Sequence, residues 1–284
     1  MVSSRLVGRI ATATTLVLAV VIVLAAAGCG TTTVRVAAPQ SLADSGVLNS
    51  LVTGFAKTNK VSVEVVPAKT SAAALKAASS GKADVALVCA PMAVSEFVKN
   101  GYGVKDVPVM YNDLIVVGPA SDPAQIKGLD CPGKSVKKIG TAGSTFVISG
   151  TGSDIDSKVT MYWQKAGLDP AGKAWYITTG KDKVSTLKTA GQKQAYTIID
   201  RQTFMQNKSK VPLVELVTGC AMLMNQYSAV QVNSTKVTGV DSKVASQFVN
   251  YVTSKAGQDA IGSFKKYDMV IYHPNAETSS SMKM

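Results

Sequence analysis

One histidine, His273, serves a chain of 284 residues, and the four cysteines, Cys29, Cys89, Cys131 and Cys220, include no C-x-x-C pair. These shortages argue against a zinc knuckle, a thioredoxin-type redox centre and a histidine-based nucleophile triad, because His273 stands near the C-terminus with no Ser or Cys in a triad frame. No H-E-x-x-H or G-x-S-x-G motif occurs, and the glycines of SGTGSD (149–154) do not fit G-x-G-x-x-G. The chain therefore reads as a non-enzyme with no catalytic residues, no metal site and no cofactor. Aromatic residues make up only 6% of it, and no basic cluster interleaved with aromatics is present, so nucleic acid is not an expected partner. Beyond the first 30 residues no apolar run approaches the roughly 20 residues needed to span a membrane.

What is abundant begins at the N-terminus. Arg5 and Arg9 precede an apolar run from Ala11 to Ala27 that ends in AAGC, the pattern of a secretory signal. A cysteine directly after small residues points to a lipoprotein signal, with residues 1–28 removed and Cys29 lipidated; an ordinary signal peptide or an uncleaved anchor is the alternative. The remainder is then extracytoplasmic, on a lipid anchor at the cell membrane. Cleavage removes two arginines and no acid, so the net charge falls from +12 to +10. The surviving lysines are scattered, as on a solvated basic face. Of the remaining cysteines, one pair and a thiol, or three reduced thiols, are both compatible with the spacing.

Residues 34–118 alternate β-branched runs with helical patterns: VRVAA, VSVEVVPA, ADVALVCA and YNDLIVVGP, with apolar positions at helical spacing between them. A polar stretch, ASDPAQIKGLDCPGKS, follows, and the alternation resumes with AWYITTG, AYTIID and PLVELVTG. A last strand, YSAVQVN, leads into an amphipathic run, and the tail 276–284 reads as disordered. Two successive α/β units of similar size indicate two lobes. In open α/β sheets ligands bind beyond the carboxyl ends of strands. The loops there read PQSLADSG, AKTS, CAP and SGTGSD, mostly hydroxyls and small residues that expose backbone N–H groups. SGTGSD also carries the simpler reading of a strand-to-helix turn with Ser153 as N-cap. Asp156 reads as a solvated first-turn acid, while Asp154 reads equally as solvated or inward.

The segments DSGVLNSLVTGFAK, GKADVALVCAPMAVSEFVKNGYGV, VMYNDLIVVGPASDPAQIKG, WQKAGLDPAGKAWY, AYTIIDRQTF, NQYSAVQVN and FVNYVTSKAGQDAI resemble, in order, the substrate-binding lipoproteins of tungstate ABC transporters (TupA-like), within the type II periplasmic-binding-protein superfamily. The resemblance implies a two-lobed α/β fold, each lobe a mostly parallel sheet flanked by helices, with a cleft between lobes. Lobe I is expected from 34–112 plus 222–275 and lobe II from 113–221, so the C-terminal helices return to the first lobe. The implied function is capture of a small oxyanion by a monomer, which hands it to an ABC permease. From their place in the loops where the two sheets would face each other, the candidate ligand contacts are Ser41, Ser45, Thr70, Ser71, Ser149, Gly150, Thr151 and Ser153, with Tyr227 near the crossing and Lys69 or Arg201 supplying charge.

The ligand loops depart from that family. Its Thr-Thr-Thr-Ser aligns with Ala38, Pro39, Gln40 and Ser41; its Gly-Thr-Gly aligns with Lys69, Thr70 and Ser71. Its Arg-Gly-Asp-Asp-Ser-Gly-Thr aligns with Ser149 to Ile155, so Ser149 stands at the arginine and Ile155 at the last threonine. Hydrogen bonds to a charged group contribute about 1.5 to 3 kcal/mol each, and the losses are large enough to change the ligand. Lys69 or Arg201 is the candidate replacement charge, Arg201 alternatively pairing with Asp200 or Asp182. Another oxyanion, phosphate, sulfate or a small organic acid, or a non-transport sensor role on the same fold, stays open at this level.

Overall fold

The computed structural model describes residues 32–266 and 268–276. The expected signal segment and Cys29 lie outside the described residues, as does the expected tail beyond Ala276. Ala276 itself is tied down, its N–H donating to Gln258 Oε1 at 3.0 Å. Among the described residues no helix is long and apolar enough to cross a membrane.

The first half runs β1 (Thr33–Pro39), α1 (Gln40–Ala43), α2 (Val47–Asn59), β2 (Ser62–Ala68), α3 (Ser71–Ser79), β3 (Val85–Val88), α4 (Pro91–Lys99) and β4 (Gly103–Gly118). Then come α5 (Pro132–Thr141), β5 (Phe146–Ile148), α6 (Asp154–Lys165), β6 (Tyr176–Thr178), α7 (Lys183–Gln192), β7 (Thr197–Asp200), α8 (Arg201–Asn207) and β8 (Val214–Val217). The chain ends with β9 (Met224–Val232), α9 (Ser242–Thr253), α10 (Lys255–Gly262) and the short strands β10 (Lys265–Lys266), β11 (Met269–Val270) and β12 (His273–Pro274).

Strand directions follow from connectivity. β1 is parallel to β2 and β3, and β9 runs antiparallel to both β3 and β4, so in this part of the sheet β9 opposes β1–β4. Farther along β4, β7 and β8 pair with it antiparallel, and β5 is parallel to β6 and bridges in parallel to the residue before β7. There β4 opposes β5–β8. β4 carries the chain out of the first set of strands and β9 brings it back, which is why these two neighbours run in opposite senses.

β4 starts eight residues before the Tyr111 at which the apolar pattern suggests a strand. Pro108 lies inside it, at a register shift of the β4–β9 ladder between Pro108 and Met110. A residue without an N–H is tolerated at such an irregularity.

Each sheet is covered on both faces, the reason its strands read as continuous apolar runs. In β1, Val34, Val36 and Ala38 join a core with Leu51, Phe55, Phe248 and Val252, whereas Ala37 faces Ala74, Ala78 and Phe97. In β4, Leu114 and Val116 join Phe146, Tyr162, Trp163 and Tyr196, while Ile115 and Val117 join Val147, Leu187 and Phe204. The cores thus divide between residues up to Met110 with those from Tyr227 on, and residues 114 to 223. Phe55 packs edge-on against Phe248 at 5.2 Å and Tyr251 at 5.6 Å between ring centroids, which fastens the late helix α9 to the early helix α2.

Candidate functional site

On the side of the first lobe the site is the start of α3. Thr70 is its N-cap, the Oγ1 accepting from Ala73 N–H at 3.2 Å. A helix start leaves its first N–H groups unpaired within the helix, and Ser71 is the first residue. Its buried side chain accepts from Cys89 N–H at 3.0 Å, joining α3 to the end of β3. Its own donors are spent across the cleft: Ser71 N–H reaches Asp154 Oδ1 at 3.1 Å, and Ser71 Oγ donates to Asp154 Oδ2 at 2.9 Å. The Cys89 thiol also meets Asp154 Oδ2, at 3.5 Å. Burial, followed by the charge of Asp154, pushes that thiol up to about 12, so it remains a neutral S–H donor.

Behind Cys89 the polar chain continues. Burial drives the Tyr227 hydroxyl well above its ordinary range, and it receives a long bond from Asn225 Nδ2, 3.4 Å. Asn225 donates to Asn112 Oδ1 at 3.0 Å, linking β9 to β4 where the strands pass between lobes.

On the other side, SGTGS turns β5 into α6. The carboxylate of Asp156 sits inside this loop: Ser149 Oγ donates to it at 2.6 Å, Ser153 N–H at 3.0 Å and Gly150 N–H at 3.2 Å. Thr151 Oγ1 meets Ser149 Oγ at 3.1 Å. Ser153 Oγ in turn accepts from Asp156 N–H at 3.2 Å, completing a reciprocal capping box. The reading of Asp156 as a solvated first-turn acid is corrected: it is 7% exposed and consumes the loop's donors. Gly150 has φ +66°, and a Cβ there would come within 1.9 Å of Thr178 Cγ2, so only glycine fits. Ser153→Ala should cost about 1 kcal/mol of stability, as loss of an N-cap does, and leave ligand affinity unchanged; urea denaturation and calorimetric titration together check this.

The structure brings together Thr70, Ser71, Tyr227 and the SGTGS loop with its helix. Ser41 is exposed on α1. Ser45 is buried in the α1–α2 turn, where Oγ donates to Leu42 O at 2.7 Å. Lys69 is exposed in the bend before Thr70. Arg201 is held by Glu215 at 2.5 Å and Asp113 at 3.6 Å, and also bonds Thr218. Its partners are thus neither Asp200, which pairs with Lys183 at 2.9 Å, nor Asp182, which caps α7. Cys89, Cys131 and Cys220 are free thiols. Among the described residues no three His, Cys, Asp or Glu side chains gather as a metal set.

A cation on the helix that carries Asp154 was not singled out by the sequence. Lys158 lies one turn after Asp154 on α6, partly buried, with Nζ donating to Met224 O at 2.7 Å. Burial pushes its ammonium down, against the opposing pull of Cys89 and Asp154. The i, i+4 spacing of Asp154 and Lys158 was the available signal. GLDCPGKS (128–135) fits the G-x-x-x-x-G-K-S phosphate-loop pattern in sequence alone. It is not such a loop here. β4 ends at Gly118, well short of it, Lys134 is paired with Asp130 at 2.9 Å, and Ser135 Oγ donates to Cys131 O at 3.0 Å.

Two α/β lobes joined by a pair of crossing strands define a periplasmic-binding-protein fold. The chain belongs to the PBP superfamily, whose domain model matches residues 25–256, and within it to the family of the TupA proteins. It is 35% identical over 246 residues to the tungstate-binding protein TupA of Peptoclostridium acidaminophilum, covering 85% of each chain. The solved tungstate binding protein TupA from Desulfovibrio alaskensis G20 superposes with a TM-score of 0.80 at 33% identity, over 87% of this chain and 100% of that one. The structure of the tungstate ABC transporter from Geobacter sulfurreducens matches with a TM-score of 0.68 at 35% identity, over 82% of this chain and 98% of that one.

Proposed function

We propose that this protein is the extracytoplasmic substrate-binding component of an ABC importer, capturing a small oxyanion of the tungstate or molybdate type between its lobes and delivering it to a membrane permease. The observation that carries this reading is that the lobe I face of the cleft already holds an oxygen anion: the start of α3, with Cys89 beside it, holds the Asp154 carboxylate by N–H, O–H and S–H donors. Donors fixed by helix starts and tight turns bind an anion without reorganising. The names of the relatives support the ligand class. The lobes are the two jaws, with boundaries near residue 112 in β4 and residue 222 just before β9. Lys158 supplies the positive charge, in place of Lys69 or Arg201.

The protein acts as a monomer, tethered by a lipid on Cys29 after removal of residues 1–28. Cys29→Ala should release it to the medium or leave an uncleaved precursor; persistence of lipid labelling in that variant would refute the anchor. For the ligand, the protein lacking its signal is screened by thermal shift against tungstate, molybdate, sulfate, phosphate and small organic acids. A ligand at 100 times its Kd adds about 2.7 kcal/mol, a rise of several degrees. The oxyanion reading predicts that rise for tungstate or molybdate, and a rise with organic acids alone would sink it.

A further inference from the structure

The donors at the start of α3 are occupied by the other lobe. Every hydrogen bond to the Asp154 carboxylate comes from lobe I: Ser71 N–H at 3.1 Å to Oδ1, and Ser71 Oγ at 2.9 Å and the Cys89 thiol at 3.5 Å to Oδ2. Asp154 is not needed where it sits in the chain. Its helix is capped by Ser153 and Asp156, and the loop before it is satisfied by Asp156. Instead it spans the cleft, with Lys158 beside it on the same helix, and places a carboxylate in the seat that the proposed function gives to a ligand oxygen.

We propose that Asp154 is a tethered stand-in for the ligand: with the cleft empty it fills the lobe I donors and holds the lobes together, and an incoming oxyanion must displace it. The inference rests on the oxyanion reading and adds to it the residue that sets affinity and selectivity. A tethered group competes at an effective concentration in the millimolar range or above, so it raises the apparent Kd of whatever replaces it. A carboxylate of single charge is displaced more readily by a doubly charged tetrahedral oxyanion than by another carboxylate, since the former gains more from Lys158 and the same donors. Asp154 thereby favours divalent oxyanions over organic acids.

The test uses the protein lacking only its signal, as wild type, Asp154→Ala and Asp154→Asn, each checked for an intact melting transition. Small-angle scattering without ligand reads lobe closure, and calorimetric titration with sodium tungstate and with acetate reads competition. Expected are a larger radius of gyration for Asp154→Ala than for wild type, its contraction on adding tungstate, about tenfold tighter tungstate binding, and a smaller preference for tungstate over acetate. Asp154→Asn, neutral but able to accept from Ser71 N–H, should fall between. Unchanged scattering in both variants, or tungstate binding that is unchanged or weaker, overturns the proposal. If Asp154→Ala expands while no oxyanion binds wild type or variant, the latch stands and the oxyanion reading falls.

Discussion

Asp156→Ala is expected to lower the free energy of unfolding by about 4 kcal/mol, a fall of roughly 8 to 16 °C in melting temperature for a chain of this size. The side chain is buried and receives Ser149 Oγ, Ser153 N–H and Gly150 N–H. Its removal strands all three donors beside a turn in which Gly150 has no room to shift toward Thr178. Burial by itself would push the Asp156 carboxyl up, yet the bonds from Ser149, Ser153 and Gly150 hold it below its ordinary value. The folded protein thus binds this proton less readily than the unfolded chain. The stability it contributes is complete above the unfolded value of about 3.9 and is lost as pH falls through the lower folded value. Urea titrations at pH 7 and pH 3 should show the gap between wild type and Asp156→Asn narrowing in acid. A loss below about 1 kcal/mol at pH 7 would mean that water satisfies the loop.

Lys158→Met is expected to weaken tungstate binding ten- to a hundredfold, the equivalent of about 1.5 to 3 kcal/mol, while leaving stability unchanged or improved. The Lys158 ammonium is displaced below its ordinary range chiefly by burial. Between that lowered value and the unfolded value near 10.4 the unfolded chain binds more protons, so stability rises with pH in that window and the charged form at neutral pH is an expense to the fold. Methionine keeps the aliphatic stem and removes the charge. Paired calorimetric titrations and melting curves separate the outcomes: stability lost with affinity intact would make Lys158 a structural link to Met224 and no part of the binding site.

The alternation of strands and helices was legible because β1, β3 and β7 are apolar on both faces, and a run such as VALV carries that signal locally. The first half of β4 was not. Lys105, Asp106 and Pro108 interrupt its pattern, and what keeps the strand is its long pairing with β9, more than a hundred residues away in sequence. α5 was hidden in the same way, since its start, Pro132 to Ser135, read as the end of a polar loop. Yet the proline occupies the helix start, and Gly140 lets Trp163 and Leu168 approach. In the site, the hydroxyls and glycines of 149–153 announced a donor-rich turn. Their partner did not show, because an acid in a first helical turn satisfies dipole and capping arguments whether it faces water or its own loop. The contact of Asp154 with Ser71 joins residues more than eighty positions apart, and no local pattern encodes that.

The paired crossing strands also govern the order in which the chain can fold. Asp113 and Met224 are ladder partners, so the segment between them begins and ends at one place. It needs nothing from outside to close its own core beyond the end of β4. The first-made residues have no such independence: Phe55 waits for Phe248 and Tyr251, almost 200 positions later. On a ribosome, or emerging from a membrane pore, the middle of this chain is ready before its beginning. Until α9 arrives, the Phe55 face of the early helix α2 lacks the two rings that cover it in the folded protein.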